Sequence, residues 1–330
     1  MKPPEIAVLV STFERPFHLR RSLVSIAGQR GVEGKMEVVV TDDGSRDETR
    51  KVVEKFARHV RFPLRFTTHQ HDGFCLARCR NEGVLVTAAP YLLFTDGDCL
   101  LPPDHVAAHL DFRRRGIAVA GDSYRLDRPT SERITEPVVR NGEFTQWVPW
   151  RERLRLANRA RRARVYSLLL CRNRPRLTGS NIGVWRDDFE RINGFDENYV
   201  GWGLEDRDLQ LRLGQLGVRF RSILGRTAAY HLWHPLHPTY AHNNLGTPNL
   251  RYYIRDSVPT RCRQGLVKIA ADFPVCDVAE EGQDFPDILQ LPTATGELRT
   301  DCGWNLTDDS IEEGSPPATM VPAQGFRDAA

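Results

Sequence analysis

Tyr91-Leu-Leu-Phe-Thr-Asp-Gly-Asp98 is an apolar run that ends in two carboxylates around a glycine. Its length and apolarity predict a strand covered on both faces of a parallel sheet, with a turn after it. Two upstream runs read the same way. Ile6-Ala-Val-Leu-Val10 leads into Ser11-Thr-Phe-Glu-Arg-Pro16, and Val38-Val-Val-Thr41 leads into Asp42-Asp-Gly-Ser45. Pro16 is tolerated in a first helical turn. After it Leu19, Leu23, Ile26 and Ala27 recur at helical spacing, up to Gly28 and Gly31. Ser45-x-x-Glu48 reads as a capping box opening a helix through His59 that buries Val52, Val53, Phe56 and Val60. Leu64 to Thr67 predicts a third strand, followed by the His71-Asp-Gly73 turn and a helix around Leu76 to Val84. Strand and helix thus alternate through the first hundred residues. The pattern predicts an α/β fold with a Rossmann-like, mostly parallel central sheet flanked by helices. Such sheets bind ligands beyond the carboxyl ends of their strands. The polar sets Thr12/Glu14/Arg15, Asp42/Asp43 and Asp96/Asp98 all stand there, and together they predict one site.

The second half reads differently. Residues 125 to 177 are Arg-dense, and Arg151 to Arg176 alone holds ten arginines beside Trp147 and Trp150. Leu177-Thr-Gly-Ser-Asn181 leads a turn into a strand at Ile182 to Trp185, and Asp187 to Ile192 predicts a short helix closed by Gly194. Glu205 to Leu216 predicts a cleaner helix, with Leu209, Leu213 and Leu216 on one face. Val218 to Ile223 reads as a strand, and Tyr230-His-Leu-Trp-His234 follows.

Composition narrows the classes. The 330 residues can hold one large α/β domain or two smaller ones. A content of 40% hydrophobic and 27% charged residues excludes wholesale disorder and collagen-like structure. No apolar run approaches the ~18 residues of a membrane span. Pro3 and Pro4 before a short apolar stretch show no signal-peptide pattern, so a cytoplasmic location is expected. Seven cysteines at irregular spacing make no disulfide framework, and Cys75 and Cys79 lack a second pair to complete a zinc set. They read as reduced, packed thiols. From Asp277 onward 12 Asp/Glu face 2 Arg, so the net +3 divides into −10 there and +13 in the rest. Residues 263–330 are expected to form an acidic, weakly structured tail, in which Phe285, Leu289 and Trp304 could dock locally.

A D-x-D at the end of a buried strand suits a hard divalent cation, which would bridge diphosphate oxygens and neutralise a leaving group. Asp-Gly-Asp is also common turn chemistry. It gains force from the Asp-Asp-Gly-Ser turn one βα unit earlier. No P-loop and no Gly-x-Gly-x-x-Gly after the first strand is present, which disfavours a P-loop NTPase and a dinucleotide-binding Rossmann domain. Asp206 falls at the start of a predicted helix, where the macrodipole favours a carboxylate able to act as a base.

These motifs resemble a family-2 glycosyltransferase of GT-A (nucleotide-diphospho-sugar transferase) fold. Those that carry the resemblance are Val10-Ser-Thr-Phe-Glu-Arg-Pro16, Thr41-Asp-Asp-Gly-Ser45, Arg80-Asn-Glu-Gly83 and Phe94-Thr-Asp-Gly-Asp-Cys99. Gly194-Phe-Asp-Glu197, Gly201-Trp-Gly-Leu-Glu-Asp206 and Tyr230-His231 resemble the galactosyltransferase-type segment of β-1,4-galactosyltransferases and bacterial chondroitin polymerase. The resemblance covers roughly residues 5 to 240. It implies a glycosyltransferase domain over 1–262, with a nucleotide-sugar half at 1–121 and an acceptor-binding, catalytic half at 122–262. Thr12, Glu14, Arg15, Asp43 and Arg80 would line the donor pocket, with Asp43 accepting from uracil. Asp96 would face the ribose or the metal. Asp98 and His231 would ligate Mn²⁺, which imidazole beside carboxylate suits better than Mg²⁺; His234 stands second in line. Asp206 would be the catalytic base, Glu205 would bind acceptor or donor hydroxyls, and Trp202 would stack on sugar. Whether Arg78 or Arg80 reaches the diphosphate is left open by the extra arginine of Ala77-Arg-Cys-Arg-Asn81.

The implied reaction is inverting, nonprocessive, metal-dependent transfer of a hexose or N-acetylhexosamine from a UDP-sugar to a saccharide or lipid-linked acceptor in polysaccharide or glycoconjugate biosynthesis. The processive Gln-x-x-Arg-Trp motif is absent. A sugar-1-phosphate nucleotidyltransferase is the alternative, but Ser11 to Pro16 lacks the Gly-rich basic loop it needs. A non-catalytic sugar- or lipid-binding module is the other. Residues 147–176 read either as a solvated face or as a peripheral contact with the inner, anionic face of a membrane. Nucleic acid is not expected as a partner, since no recognised module accompanies the charge.

Overall fold

The computed structural model describes residues 3–169, 171, 173–236, 240 and 246–268. The expectations for Phe285, Leu289 and Trp304 lie outside the described residues. The first half runs β1 (Ile6–Thr12), α1 (Pro16–Ala27), β2 (Met36–Asp42), α2 (Thr49–Ala57), β3 (Leu64–Thr68), α3 (Leu76–Leu85), β4 (Tyr91–Asp96), β5 (Cys99–Leu100), α4 (His105–Phe112), β6 (Ile117–Ala120) and β7 (Ser123–Arg125). There follow α5 (Arg128–Arg133), α6 (Glu136–Arg140), α7 (Trp150–Leu168), β8 (Asn181–Trp185), α8 (Arg186–Arg191), α9 (Glu205–Gln215), β9 (Arg219–Ser222), β10 (Ala229–His231) and α10 (Pro248–Tyr253).

The main sheet has the order β3-β2-β1-β4-β8-β6-β9. It is parallel throughout except for β8, which runs antiparallel to both β4 and β6. Every residue of β1 and β2 is buried, as continuous apolar runs between two helical layers require. One core layer gathers Leu9, Phe94, Phe189, Phe195 and Leu209. The other gathers Val8, Val10, Leu19, Leu23 and Leu93.

Register then places the polar strand ends together. Thr12 stands opposite Asp42, and Ser11 opposite Asp96. The turns are stitched to the same edge, because Asp43 N donates to Thr12 O (3.0 Å) and Gly97 N to Ser11 O (2.7 Å). A small second sheet, β5-β10-β7, does the same for the far half of the chain. In it His231 pairs with Cys99, and Leu232 N donates to Asp98 O (2.9 Å). This ladder carries His231 across more than a hundred residues of sequence to the Asp96-Gly-Asp98 turn.

Three local expectations need correction. The Ser45/Glu48 capping box does not form: α2 starts at Thr49, and Glu48 at its N-cap makes no side-chain cap bond. Ser45 Oγ instead donates to Asp42 Oδ1 (2.5 Å) and accepts from Glu14 N (2.8 Å), so the turn it shares with β1 outcompetes the helix start. In α2 only Val53 of the four expected apolar residues is fully buried, and the helix ends at Ala57. Ala27 is exposed, while Val24 takes its place in the interior. Beyond α10 the chain packs back on the body through Lys268. Leu266 lies against the core, and Asn193 Nδ2 donates to Cys262 O (2.9 Å) and Val267 O (2.7 Å).

Candidate active site

Arg80 is the hub. Its guanidinium is 1% exposed, donates from Nη2 to Asp96 Oδ1 (3.1 Å) and from Nη1 to Glu205 Oε1 (3.2 Å), and lies over the Phe195 ring. α3 delivers it from one side of the sheet, β4 delivers Asp96, and the first residue of α9 delivers Glu205. A cation so buried is kept charged by such carboxylates, since an unpaired one costs several kcal/mol. Gly179 makes the close approach possible: a Cβ there would lie 2.6 Å from Arg80 Nη2. Arg78, by contrast, pairs with Glu82 one turn along α3 (2.9 Å).

Glu205 carries the strain of this cluster. Burial and the adjacent Asp206 carboxylate push its carboxyl up to about 7, against the pull of Arg80. Burial likewise raises Asp96, with Arg80 opposing. Asp206 is the more open of the helix-start pair; its Oδ2 accepts from Gly179 N (3.3 Å). The loop before it bends tightly, with Gly201, Gly203 and Leu204 all at positive φ. For a leucine this is a strained conformation, of the kind concentrated at functional sites. Trp202 is half-buried and meets the Tyr240 ring edge-on at 4.7 Å.

A second cluster surrounds Asp98. Arg15 Nη1 is 2.9 Å from Oδ2, His234 Nε2 is 3.1 Å from Oδ2, and His231 Nε2 is 3.5 Å from Oδ1. Burial would raise this carboxyl, but His231, His234 and Arg15 together hold it far below the usual carboxylate range. One ligand atom from each of Asp98, His231 and His234 lies within 4.8 Å of the others. One carboxylate oxygen from the turn after β4 and two imidazole nitrogens, from the end of β10 and the chain after it, make a mixed donor set that a first-row divalent cation, Mn²⁺ among them, accepts more readily than Mg²⁺ does. Asp96, Asp98 and Cys99 form an overlapping group.

Asp43 stands at the end of β2 with its own partners. His69 Nε2 lies 2.8 Å from its Oδ1, and Cys75 N donates to its Oδ2 (3.1 Å). Hydrogen bonds to Asp43 and Glu82 raise His69 to about 9, so it is an imidazolium at neutral pH. Next to it Phe13 and His71 stack, centroids 4.3 Å apart. Thr12 is buried at the end of β1, and Glu14 is exposed with φ 45°.

The glycosyl transferase family 2 model matches residues 7–190, more than half of the chain. The chain belongs to glycosyltransferase family 2. A second model, described as the N-terminal domain of galactosyltransferase, matches residues 165–235. Among curated relatives, validoxylamine A glucosyltransferase of Streptomyces hygroscopicus subsp. limoneus is 32% identical over 231 residues, 65% of this chain and 49% of that protein. Chondroitin synthase of Escherichia coli is 24% identical over 247 residues, 68% of this chain and 34% of that protein. The chain thus spans about half the length, or less, of these relatives. Of solved structures, S. aureus TarS 1-349 in complex with UDP-GlcNAc superposes with a TM-score of 0.50 at 17% identity, covering 75% of this chain and 65% of that one. That likeness agrees with the GT-A-type fold.

For this family-2 glycosyltransferase, the structure gathers Arg80, Asp96, Glu205 and Asp206 in one cluster and Arg15, Asp98 and His231 in a second, both issuing from the Asp96-Gly-Asp98 turn. Asp43, at the neighbouring strand end beside Thr12, pairs with His69. Two participants carry no signal in the sequence. His69 lies two residues before the His71-Asp-Gly73 turn and fits no periodic pattern, and Gly179 reads only as part of a turn. His234, second in line to His231 on sequence, makes the shorter contact with Asp98.

Proposed function

We propose that this chain transfers a hexose or N-acetylhexosamine from a UDP-sugar to a hydroxyl of a saccharide or lipid-linked acceptor, nonprocessively and with inversion. The observation that carries this reading is the placement of Asp206, the more open carboxylate of the helix start, beside the Glu205–Arg80–Asp96 chain that leads to the Asp98 cluster. In the reaction the acceptor oxygen attacks the anomeric carbon, a glycosidic C–O bond forms, and the C–O bond to the diphosphate breaks. Asp206 takes the acceptor proton, and UDP leaves with the bonding electrons. One displacement with one base inverts the anomeric centre.

The chain's other residues hold the donor. Asp43 keeps acceptor capacity for the N3–H of uracil, because a carboxylate offers about four lone-pair sites and two are used. Asp98, His231 and His234 would hold Mn²⁺, with Mg²⁺ the weaker fit to a nitrogen-bearing set. Bound there, the cation would neutralise charge on the diphosphate leaving group. Arg15 adds positive charge at the same place. Arg80 fixes Glu205 and Asp96 so that both can meet sugar or ribose hydroxyls. Glu205 is the competing base, because a carboxyl near 7 accepts a proton at working pH; its burial and its bond to Arg80 favour Asp206 instead.

Incubation with a panel of UDP-, GDP- and dTDP-sugars and Mn²⁺, scored by nucleotide release, is expected to show release from UDP-sugars that EDTA abolishes. Release from GDP-sugars alone overturns the donor assignment, and EDTA-insensitive release overturns the cation's part. Proton NMR of the product from an α-linked donor is expected to show a β-linkage. A retained α-linkage contradicts the single displacement.

A further inference from the structure

Helix α7 carries apolar side chains on two opposite faces. The inner face is the ordinary one: Leu156 and Ala163 are buried, and Arg155 and Arg159 reach Asp122 at 3.3 and 2.8 Å. On the outer face Trp150 is 68% exposed, Leu154 49%, Val165 50% and Leu168 82%. At about 100° per residue these four positions fall within roughly 60° of one another, with Ala157 and Arg161 on the same line. Leu169, just past the helix end, is 69% exposed. The solvent side of a helix packed on a globular domain is expected to be polar.

Charge is arranged around this line rather than at random. Arg151 and Arg162 project to one side of it, Arg153 and Arg164 to the other, and all four are exposed. The helix has seven arginines and one acid, Glu152, which is turned toward Arg155 (2.9 Å). We propose that α7 lies flat on an anionic lipid bilayer, its Trp150–Leu168 line entering the boundary between headgroups and acyl chains and its flanking arginines meeting lipid phosphates. This gives a geometry to the membrane contact expected of residues 147–176, and it does not depend on the transfer reaction.

Two other occupants fit the surface less well. A second copy of the chain docking through the same face would bring two helices of net +6 together without an acid between them. Nucleic acid would set its phosphates against the apolar line. The helix is about 28 Å long at 1.5 Å per residue. No helix among the described residues is long and apolar enough to cross a membrane, so the contact is one of lying on the surface.

The test is co-sedimentation of the full chain with phosphatidylcholine vesicles, with and without phosphatidylserine, at low salt. Partition is expected to be about tenfold or more stronger with phosphatidylserine. Leu154→Glu/Leu168→Glu and, separately, Arg151→Glu/Arg162→Glu are each expected to lower it by a similar factor. Thermal unfolding of the leucine variant should not move, because both of its altered side chains are exposed. Equal partition onto both vesicles overturns the proposal. So does binding that the leucine substitutions leave intact, which marks a plain polyanion site serving nucleic acid as well as lipid. A dimer that Leu168→Glu dissolves in the absence of lipid assigns the face to a second copy instead.

Discussion

Glu205→Gln should make the protein more stable at alkaline pH while weakening its chemistry. Glu205 is 7% exposed, and burial together with Asp206 raises its carboxyl from 4.5 to about 7. In the unfolded chain the carboxyl titrates at its ordinary value, so between pH 4.5 and 7 the folded chain holds a proton that the unfolded chain has released. The stability tied to this group is fully present below pH 4.5 and is lost as the pH rises through 7. At about 1.4 kcal/mol per pH unit, that interval amounts to roughly 3 kcal/mol. Glutamine cannot ionise, keeps the size of the side chain and still offers Arg80 an oxygen. Urea or thermal unfolding at pH 8 is therefore expected to show the variant ahead of the wild type by ~1–3 kcal/mol. For a domain of this size each 1 kcal/mol moves Tm by about 2–4 °C. At pH 4.5 the two proteins should agree to within about 0.5 kcal/mol, since both side chains are then largely neutral. A variant less stable than wild type at pH 8 would mean instead that the attraction of Arg80 outweighs the burial of the charge.

Gly179→Ala places a Cβ 2.6 Å from Arg80 Nη2, and the guanidinium is held by two carboxylates and cannot yield freely. A loss of ~1–3 kcal/mol in unfolding free energy is expected, and a neutral substitution would show that the turn relaxes. His69→Gln should abolish a stability slope at alkaline pH. The folded value of about 9 against the ordinary 6.5 gives stability fully present below 6.5 and lost through 9. The variant is then up to about 3 kcal/mol weaker at pH 6 and nearly equal at pH 10; a constant deficit across that range would contradict it. His234→Ala is expected to weaken Mn²⁺ binding in calorimetry more than Mg²⁺ binding, as the loss of a nitrogen ligand requires. Equal losses for the two ions would count against ligation.

The sheet was legible because burial on both faces leaves a plain mark. Ile6–Val10, Val38–Val40 and Tyr91–Phe94 are fully buried, and parallel pairing alone then brings Thr12, Asp42 and Asp96 to one edge. Helix α9 was legible for a related reason: Leu209 and Leu213 share a face, so Glu205 and Asp206 had to stand at its start. What could not be read was the choice among partners. Ser45 had two local uses, and the side chain of Asp42, with the backbone of Glu14 from another strand end, decided between them. Arg80 reaches Glu205 across 125 positions of sequence, and His69 reaches Asp43 across 26. No local pattern encodes either contact. Sequence ranks His234 second to His231, and Pro235 and Pro238 leave no helix to place the two on one face. The structure needs no helix there, since the β10 ladder and the extended chain following it return both histidines to Asp98.

The proposed role of Asp206, taking the acceptor proton in sugar transfer, is tested most directly by kcat for transfer from a UDP-sugar by Asp206→Asn, measured beside the calorimetric Kd for that donor. An unchanged donor Kd and a kcat lowered by about 10²–10⁴-fold, the usual contribution of a general base, are expected. A kcat within a few-fold of wild type would contradict it and pass the role to Glu205.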